Sequence, residues 1–109
     1  KPVFVNFTAA WCVTCKANEI TALSRPAVKA AFERAGVVYL KGDWTARDSA
    51  IAAELAVHGR DGVPLYLYYP PGAAAPRVLP QLLTEQLLID TVSPGPQAPG
   101  AARNKGGQT

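Results

Sequence analysis

The only two cysteines of the chain, Cys12 and Cys15, stand two residues apart directly after an apolar run. That run, Val3–Thr8, is rich in the β-branched and aromatic residues that strands prefer. It leads through Ala9 and Ala10 into the cysteines, which predicts a central strand followed by a helix that has both thiols in its first turn. Two thiols at this spacing can close a disulfide with little backbone movement, which suits reversible two-electron redox chemistry.

Two structural roles for the cysteine pair fit less well. A structural zinc site takes about four ligands, and this chain adds only one histidine, His58, to its two cysteines. A disulfide that serves stability alone is also a poor fit, because the stabilisation gained by closing a loop falls as the loop shortens. The cysteines therefore favour a dithiol oxidoreductase.

Length and composition predict one small domain. The chain has 109 residues, of which 49% are hydrophobic and 17% charged, and no stretch reaches the roughly 18 uncharged apolar residues of a membrane span. The chain enters an apolar run at once after Lys1 and Pro2, without a signal peptide. We therefore expect it to be an N-terminally truncated piece of a longer protein, and we expect this piece to be soluble and monomeric.

The net charge of +3 includes Arg103 and Lys105 near the C-terminus, and no basic cluster precedes them, so no nucleic-acid partner is predicted.

The composition changes at Ser93. Residues 93–109 are rich in proline, glycine and alanine and contain no large apolar side chain. Such a segment has nothing to bury against the entropy cost of ordering, so we predict a folded domain over residues 1–92 and a disordered tail over 93–109.

The body of the chain alternates predicted strands and helices. Helical spacing of Cys15, Ile20 and Leu23 predicts that these residues share one face of the first helix. Ser24 is predicted to cap the second helix, and either Thr45 or Asp48 the third. After the first strand, the predicted elements are a helix over 12–23, a helix from Pro26 to about Ala35 that stops at Gly36, a strand over 37–42, a helix ending near His58, a strand over Leu65–Tyr69, a short strand over 77–79, and a helix from Thr84 to Val92. This order predicts an α/β fold with a mixed sheet that helices cover on both faces.

The arrangement resembles the thioredoxin fold over about residues 2–92. The likeness depends on two features, the block from Trp11 to Lys16 that contains both cysteines, and the pair Val63 and Pro64 that precedes a strand some fifty residues later. The resemblance implies that the Val63–Pro64 peptide bond is cis and packs beside the cysteines. It also implies that Val63 offers its backbone to a partner protein as to an added strand.

Within that superfamily the chain resembles the C-terminal domain of the DsbD-type thiol:disulfide interchange proteins. The residues that carry this likeness are the cysteine block, Glu19, and the run from Asp43 to Asp48. The resemblance implies a periplasmic relay domain that belongs to a protein of the bacterial inner membrane. Its partners would be protein dithiols and disulfides, including a transmembrane electron-donor domain of the same full-length protein, and it would need no cofactor beyond the disulfide of Cys12 and Cys15.

The two cysteines are predicted to play different parts. Backbone amides at a helix N-terminus stabilise an anion, so we expect the pKa of Cys12 to be lowered and Cys12 to be the attacking thiolate. Cys15, one turn further into the fold, would then attack the mixed disulfide and release the partner.

The proton on Cys15 has no obvious acceptor among the core residues. Many thioredoxins have a buried aspartate six residues before the first cysteine, and this chain has Asn6 there. Glu19, four residues after Cys15, lies on the same helical face and can take over the tuning of the thiols. The alternative is a solvated carboxylate that pairs loosely with Lys16, a lysine that can itself raise the local positive potential.

Other predictions concern the surroundings of the thiols. Trp11 is predicted to form part of the partner-binding surface, Lys41 can lie near the site, and Trp44 is expected to pack in a loop rather than bind a ligand.

The resemblance favours a reductant of intermediate redox potential. Two alternatives stay open, a periplasmic oxidase or isomerase, and a non-enzymatic module that uses the thiols as soft ligands for a metal such as copper(I).

Overall fold

The computed structural model describes residues 1–93, so the predicted tail lies outside the described residues apart from Ser93. The elements in chain order are β1 (Val3–Thr8), α1 (Val13–Asn18) followed by a π-helical turn (Glu19–Leu23), α2 (Pro26–Ala35), β2 (Val38–Asp43), α3 (Ser49–Val57), β3 (Leu65–Tyr69), β4 (Arg77–Val78) and α4 (Glu85–Val92). Within residues 1–93, no helix has the length and apolar character needed to cross a membrane.

The four strands form one mixed sheet in the order β2-β1-β3-β4. β1 pairs in parallel with β2 and antiparallel with β3, and β3 pairs antiparallel with the short β4. The register places Asn6 of β1 between Lys41 of β2 and Tyr66 of β3. The predicted α/β fold, a thioredoxin-like mixed sheet with helices on both faces, is confirmed.

Alternation along the central strands divides the core into two apolar layers. Phe4, Tyr66 and Tyr68 face one layer, where they pack with residues of the π turn, α2 and α4. Phe7, Leu65 and Leu67 face the other layer, where Leu55 of α3 and Trp44 cover them. β1 therefore contributes side chains to both layers, and the cysteines follow directly after this central strand.

The cysteine helix differs from the predicted continuous helix over 12–23. Cys12 is the N-cap residue, so the helix begins at Val13, and after Asn18 the backbone widens into a π turn in which the amide of Ser24 bonds the carbonyl of Glu19 at 2.9 Å. Ile20, predicted to share the face of Cys15, is 69% exposed, whereas Leu23 is buried as expected. The prediction for Ile20 is wrong because five residues of α-helix turn by about 140°, which places Ile20 away from the face of Cys15.

Helix ends follow the predicted signals at most positions. Asp48, one of the two predicted caps, accepts a hydrogen bond from the amide of Ile51 at the start of α3. Gly36 ends α2 in the left-handed region, with φ of 70°. The predicted Ser24 cap is wrong, because Arg25 holds the N-cap position of α2 without a side-chain bond and the Ser24 hydroxyl bonds back to Ile20.

Candidate active site

Cys12 and Cys15 form a disulfide at the start of α1, with their Cα atoms 5.2 Å apart. The amide of Cys12 bonds the carbonyl of Ala9 at 3.1 Å, which fixes the turn between β1 and the helix. The amide of Cys15 donates a hydrogen bond of 3.1 Å to the Sγ of Cys12. The N-cap sulfur therefore lies where the free amide groups of the helix point, which is the position that stabilises an anion.

Cys12 and Cys15 form a small buried cluster with Ala9, and Val63 packs against this cluster. Cys12 is 6% exposed and Cys15 4% exposed. In the disulfide form the two residues are therefore buried to nearly the same extent. The two cysteines therefore differ in their position in α1, where Cys12 is the N-cap and Cys15 lies within the helix, and not in their exposure.

The Val63–Pro64 peptide bond is cis, and Val63 packs against the disulfide, as the resemblance implied. The loop before β3 is held by Arg60, whose Nη1 donates a hydrogen bond of 3.2 Å to the carbonyl of Pro64. Sequence reasoning missed Arg60, since nothing in the pattern before a strand marks an arginine that folds back onto its own loop.

Trp11 is held in place by the loop that follows β2. Its Nε1 donates to the carbonyl of Thr45 at 3.0 Å, and the hydroxyl of Thr45 accepts from the amide of Ala10 at 2.8 Å. The same hydroxyl and the Thr45 amide donate to the carboxylate of Asp43, and these bonds lower the pKa of Asp43. Trp44 is buried in the layer of Phe7, which confirms the predicted packing role.

A charged cavity of about 400 Å³ opens behind Cys15. It brings together most of the charged residues singled out in the sequence. Its walls are formed by Thr8, Ala9, Ala10, Cys15, Lys16, Glu19, Lys41, Asp43 and Thr45. Glu19 and Lys16 are both exposed on this wall, and no ion pair joins them. Tuning of the thiols by Glu19 and a solvated carboxylate both stay open at this point.

Asn6 is buried below this region and is not part of the cavity wall. Its Nδ2 donates a hydrogen bond of 2.7 Å to the hydroxyl of Tyr39, while its Oδ1 has no partner. Burial raises the pKa of Tyr39, the bond from Asn6 opposes this, and the charge of Glu19 raises the pKa further. Asn6 and Tyr39 are thus joined by a hydrogen bond, and the charge of Glu19 acts on the tyrosine.

Asn18 is a second buried amide side chain, and unlike Asn6 it was not identified from the sequence. Its Nδ2 donates to the hydroxyl of Tyr66 at 2.9 Å and to the carbonyl of Gln81 at 2.7 Å, and its Oδ1 accepts from the amide of Leu83 at 3.0 Å. These bonds tie the cysteine helix to β3 and to the loop before α4. The available signal was its spacing, because a residue three after Cys15 lies on the same buried helical face.

No group of three or more potential metal ligands from His, Cys, Asp and Glu converges within residues 1–93. His58, the histidine of the sequence, ends α3 and contacts Glu54 at 3.2 Å.

The fold and the paired cysteines define a thiol:disulfide exchange protein of the thioredoxin type. The family model described as thioredoxin-like matches residues 1–71, and the chain belongs to this family. A comparison with curated proteins finds none that matches.

Several solved structures are similar to this chain. The oxidised C-terminal domain of DsbD from Neisseria meningitidis is 27% identical with a TM-score of 0.68, over 83% of this chain and 76% of that one. Its reduced form is 26% identical with a TM-score of 0.67, over 84% and 78%. A thioredoxin from Thermus thermophilus, 20% identical with a TM-score of 0.64 over 84% and 71%, shares the fold.

Proposed function

We propose that this chain is the relay domain of a DsbD-type reductase, which passes reducing equivalents from a dithiol donor to protein disulfides. The observation that carries the proposal is the placement of Cys12 at the N-cap of α1, where its sulfur accepts the amide of Cys15. That amide would stabilise a thiolate at Cys12 once the disulfide is reduced.

The exchange takes two steps, each of which makes one S–S bond and breaks one. The Cys12 thiolate attacks a sulfur of the partner disulfide, which forms a mixed disulfide and releases one partner sulfur as a thiolate that takes up a proton. Cys15 then loses its proton and attacks the Sγ of Cys12, which closes the disulfide of this domain and releases the second partner sulfur. Two electrons pass to the partner, and a donor dithiol restores the reduced domain by the same steps in reverse.

Partner binding involves Val63, Pro64 and Trp11. Val63 lies against the disulfide at the end of a loop that Arg60 holds, so an extended segment of a partner can run beside it and reach Cys12. Trp11 is 44% exposed immediately before Cys12 and offers an aromatic surface next to the reacting sulfur.

Glu19, Lys16 and Asn6 support the second step. Glu19 faces the same cavity as Cys15, which supports a role as acceptor, directly or through water, of the proton that Cys15 loses. Lys16 on the same cavity wall favours the thiolate by its charge. Asn6 has no carboxylate to offer and instead supports the site through Tyr39.

The likeness to DsbD supports a proposal for the location and the electron donor. By that likeness we propose a domain on the periplasmic side of the inner membrane, reduced by a transmembrane domain of the same full-length protein. Protein disulfides are the acceptors, and the cysteine pair is the only redox group that the exchange requires.

A trapping experiment tests the proposal. In a Cys15→Ala variant the mixed disulfide cannot be resolved, so Cys12 should retain a covalently bound partner that dithiothreitol releases. The matched Cys12→Ala variant should retain none. Capture of a donor domain or of a periplasmic protein would support the relay, whereas equal capture by both variants would contradict the assignment of Cys12.

The redox potential separates a reductant from an oxidase. Equilibration of the chain with mixtures of reduced and oxidised glutathione should give a potential well below that of the oxidant DsbA, at about −120 mV. A value close to that of DsbA would contradict the proposed direction of electron flow.

A further inference from the structure

Arg47 has an unusual backbone conformation. Its φ is 55°, which makes it the one non-glycine residue with a positive φ among residues 1–93. Glycine, asparagine and aspartate tolerate this region, whereas a long side chain is uncommon there and persists where the surrounding structure holds it. The loop therefore holds the backbone of Arg47 in an unfavourable conformation, and this conformation sets the direction of the Arg47 side chain.

The side chain of Arg47 lies against both tryptophans of the chain. Its guanidinium carbon is 4.3 Å from the centre of the Trp11 ring system and 5.3 Å from that of Trp44. The two indoles are 6.0 Å apart and inclined at 57°. A guanidinium over an indole face is attracted by the negative charge density of the ring.

The two tryptophans differ in how firmly the fold holds them. Trp44 is buried, its Nε1 donates to the carbonyl of Asp48, and its own carbonyl accepts from the amide of Arg47 at 2.9 Å. Trp11 is half exposed and is anchored by one hydrogen bond, from Nε1 to the carbonyl of Thr45. Arg47 thus connects a fixed indole to an exposed one that lies next to Cys12.

We propose that Arg47 is a positioning residue that orders the Trp11 indole in advance as a docking surface for partner proteins. This inference rests on the proposed function, since it assigns a role in partner recognition at the same site. An aromatic side chain that is already ordered loses less conformational entropy when a partner binds, so the affinity for the partner is higher.

The test compares variants of the full chain in the reduction of insulin, with dithiothreitol as the electron source. Arg47→Asn removes the cation and tolerates the positive φ, Arg47→Lys keeps a positive charge, and Arg34→Asn on the exposed face of α2 is the matched control. We expect Arg47→Asn to raise the KM for insulin about two- to five-fold, with kcat little changed. Arg47→Lys should restore part of the loss, and Arg34→Asn should resemble the wild type.

A double-mutant cycle separates positioning from general stabilisation of the loop. If Arg47 acts through Trp11, then Arg47→Asn should have no further effect on KM in a Trp11→Ala background. Acrylamide quenching gives a direct readout of order, because Trp44 is buried and the quencher therefore reports mainly on Trp11. Quenching should increase in Arg47→Asn and not in Arg34→Asn.

Two further results distinguish this inference from the proposed function. A wild-type chain that reduces neither insulin nor the small substrate bis(2-hydroxyethyl) disulfide would contradict the proposed function. Normal wild-type turnover, with unchanged KM and quenching in Arg47→Asn, would overturn the role of Arg47 alone. An equal rise of KM in Arg47→Asn with and without Trp11 would also overturn it.

Discussion

The backbone amide of Cys15 donates to the Sγ of Cys12 across the first turn of α1, at 3.1 Å. The two cysteines are almost equally buried, so this asymmetric contact is what distinguishes their chemistry. A sulfur that accepts a helix amide is stabilised as an anion, whereas a sulfur within the helix lacks that advantage.

The first prediction concerns single-cysteine variants. At pH 7, Cys12 in a Cys15→Ala chain should react with iodoacetamide at least about ten times faster than Cys15 in a Cys12→Ala chain, because more of it is thiolate. Labelling rates followed by mass spectrometry give the comparison. The reverse order of reactivity would contradict the assignment of the attacking thiol.

The second prediction concerns Glu19, which shares the charged cavity with Cys15. In Glu19→Gln the negative charge is lost, so the thiols should titrate at lower pH, by up to about 1 unit. Release of the partner from the mixed disulfide should slow, since the proton acceptor is missing. The absorbance of the reduced chain at 240 nm gives the titration, and Glu33→Gln on α2 is the control. Superimposable curves for Glu19→Gln and the wild type would remove Glu19 from the mechanism.

The third prediction concerns Asn18, a buried side chain with three hydrogen bonds to β3 and the loop before α4. Asn18→Ala leaves buried polar groups without partners, so the free energy of unfolding should fall by about 3 kcal/mol. Urea unfolding at pH 7 measures it. Thr21→Ala, an exposed position in the π turn, should cost less than about 1 kcal/mol. Similar losses in both variants would show that the Asn18 bonds contribute little.

The fourth prediction is a loss of stability in alkaline solution. Burial raises the pKa of Tyr66 above its usual 10.0, against the opposing bond from Asn18, and burial likewise raises the pKa of Tyr39. Well below pH 10 both tyrosines are protonated in the folded and unfolded chain alike. As the pH approaches and passes 10, the unfolded chain releases protons that the folded chain retains, so the free energy of unfolding falls as the pH rises.

Phenylalanine variants test this assignment. Tyr66→Phe and Tyr39→Phe should each show a shallower decline between pH 9 and pH 11 in urea unfolding, because each removes one of the responsible groups. Asn18 keeps its bond to the carbonyl of Gln81 in Tyr66→Phe, so the loop before α4 remains attached. Slopes equal to that of the wild type would assign the alkaline loss to other groups.

Local sequence signals predicted most of the fold. The strand-forming run Val3–Thr8, the cap Asp48 and the stop at Gly36 act within a few residues of chain, so their effects can be inferred from the sequence. The π turn after Asn18 has no comparable signature, so the sequence predicts a regular helix there. The face predicted for Ile20 is wrong for another reason, because a residue five after Cys15 lies about 140° from it around an α-helix.

The supporting residues of the site were harder to predict, for a physical reason. Asn18 and Arg47 act on partners that lie far along the chain or across a loop, and their value depends on tertiary distances. The cysteines could be identified because their chemistry depends on a spacing of three residues within one helix.

The packing of Gly42 against Phe7 connects the outermost strand to the chemistry. A Cβ atom added at Gly42 would lie 2.6 Å from Cδ1 of Phe7, so any larger residue must push this ring aside. Phe7 is two residues before Ala9, whose carbonyl accepts the amide of Cys12. Position 42 must therefore stay small if the end of β1, and the turn that leads from it to Cys12, is to keep its packing.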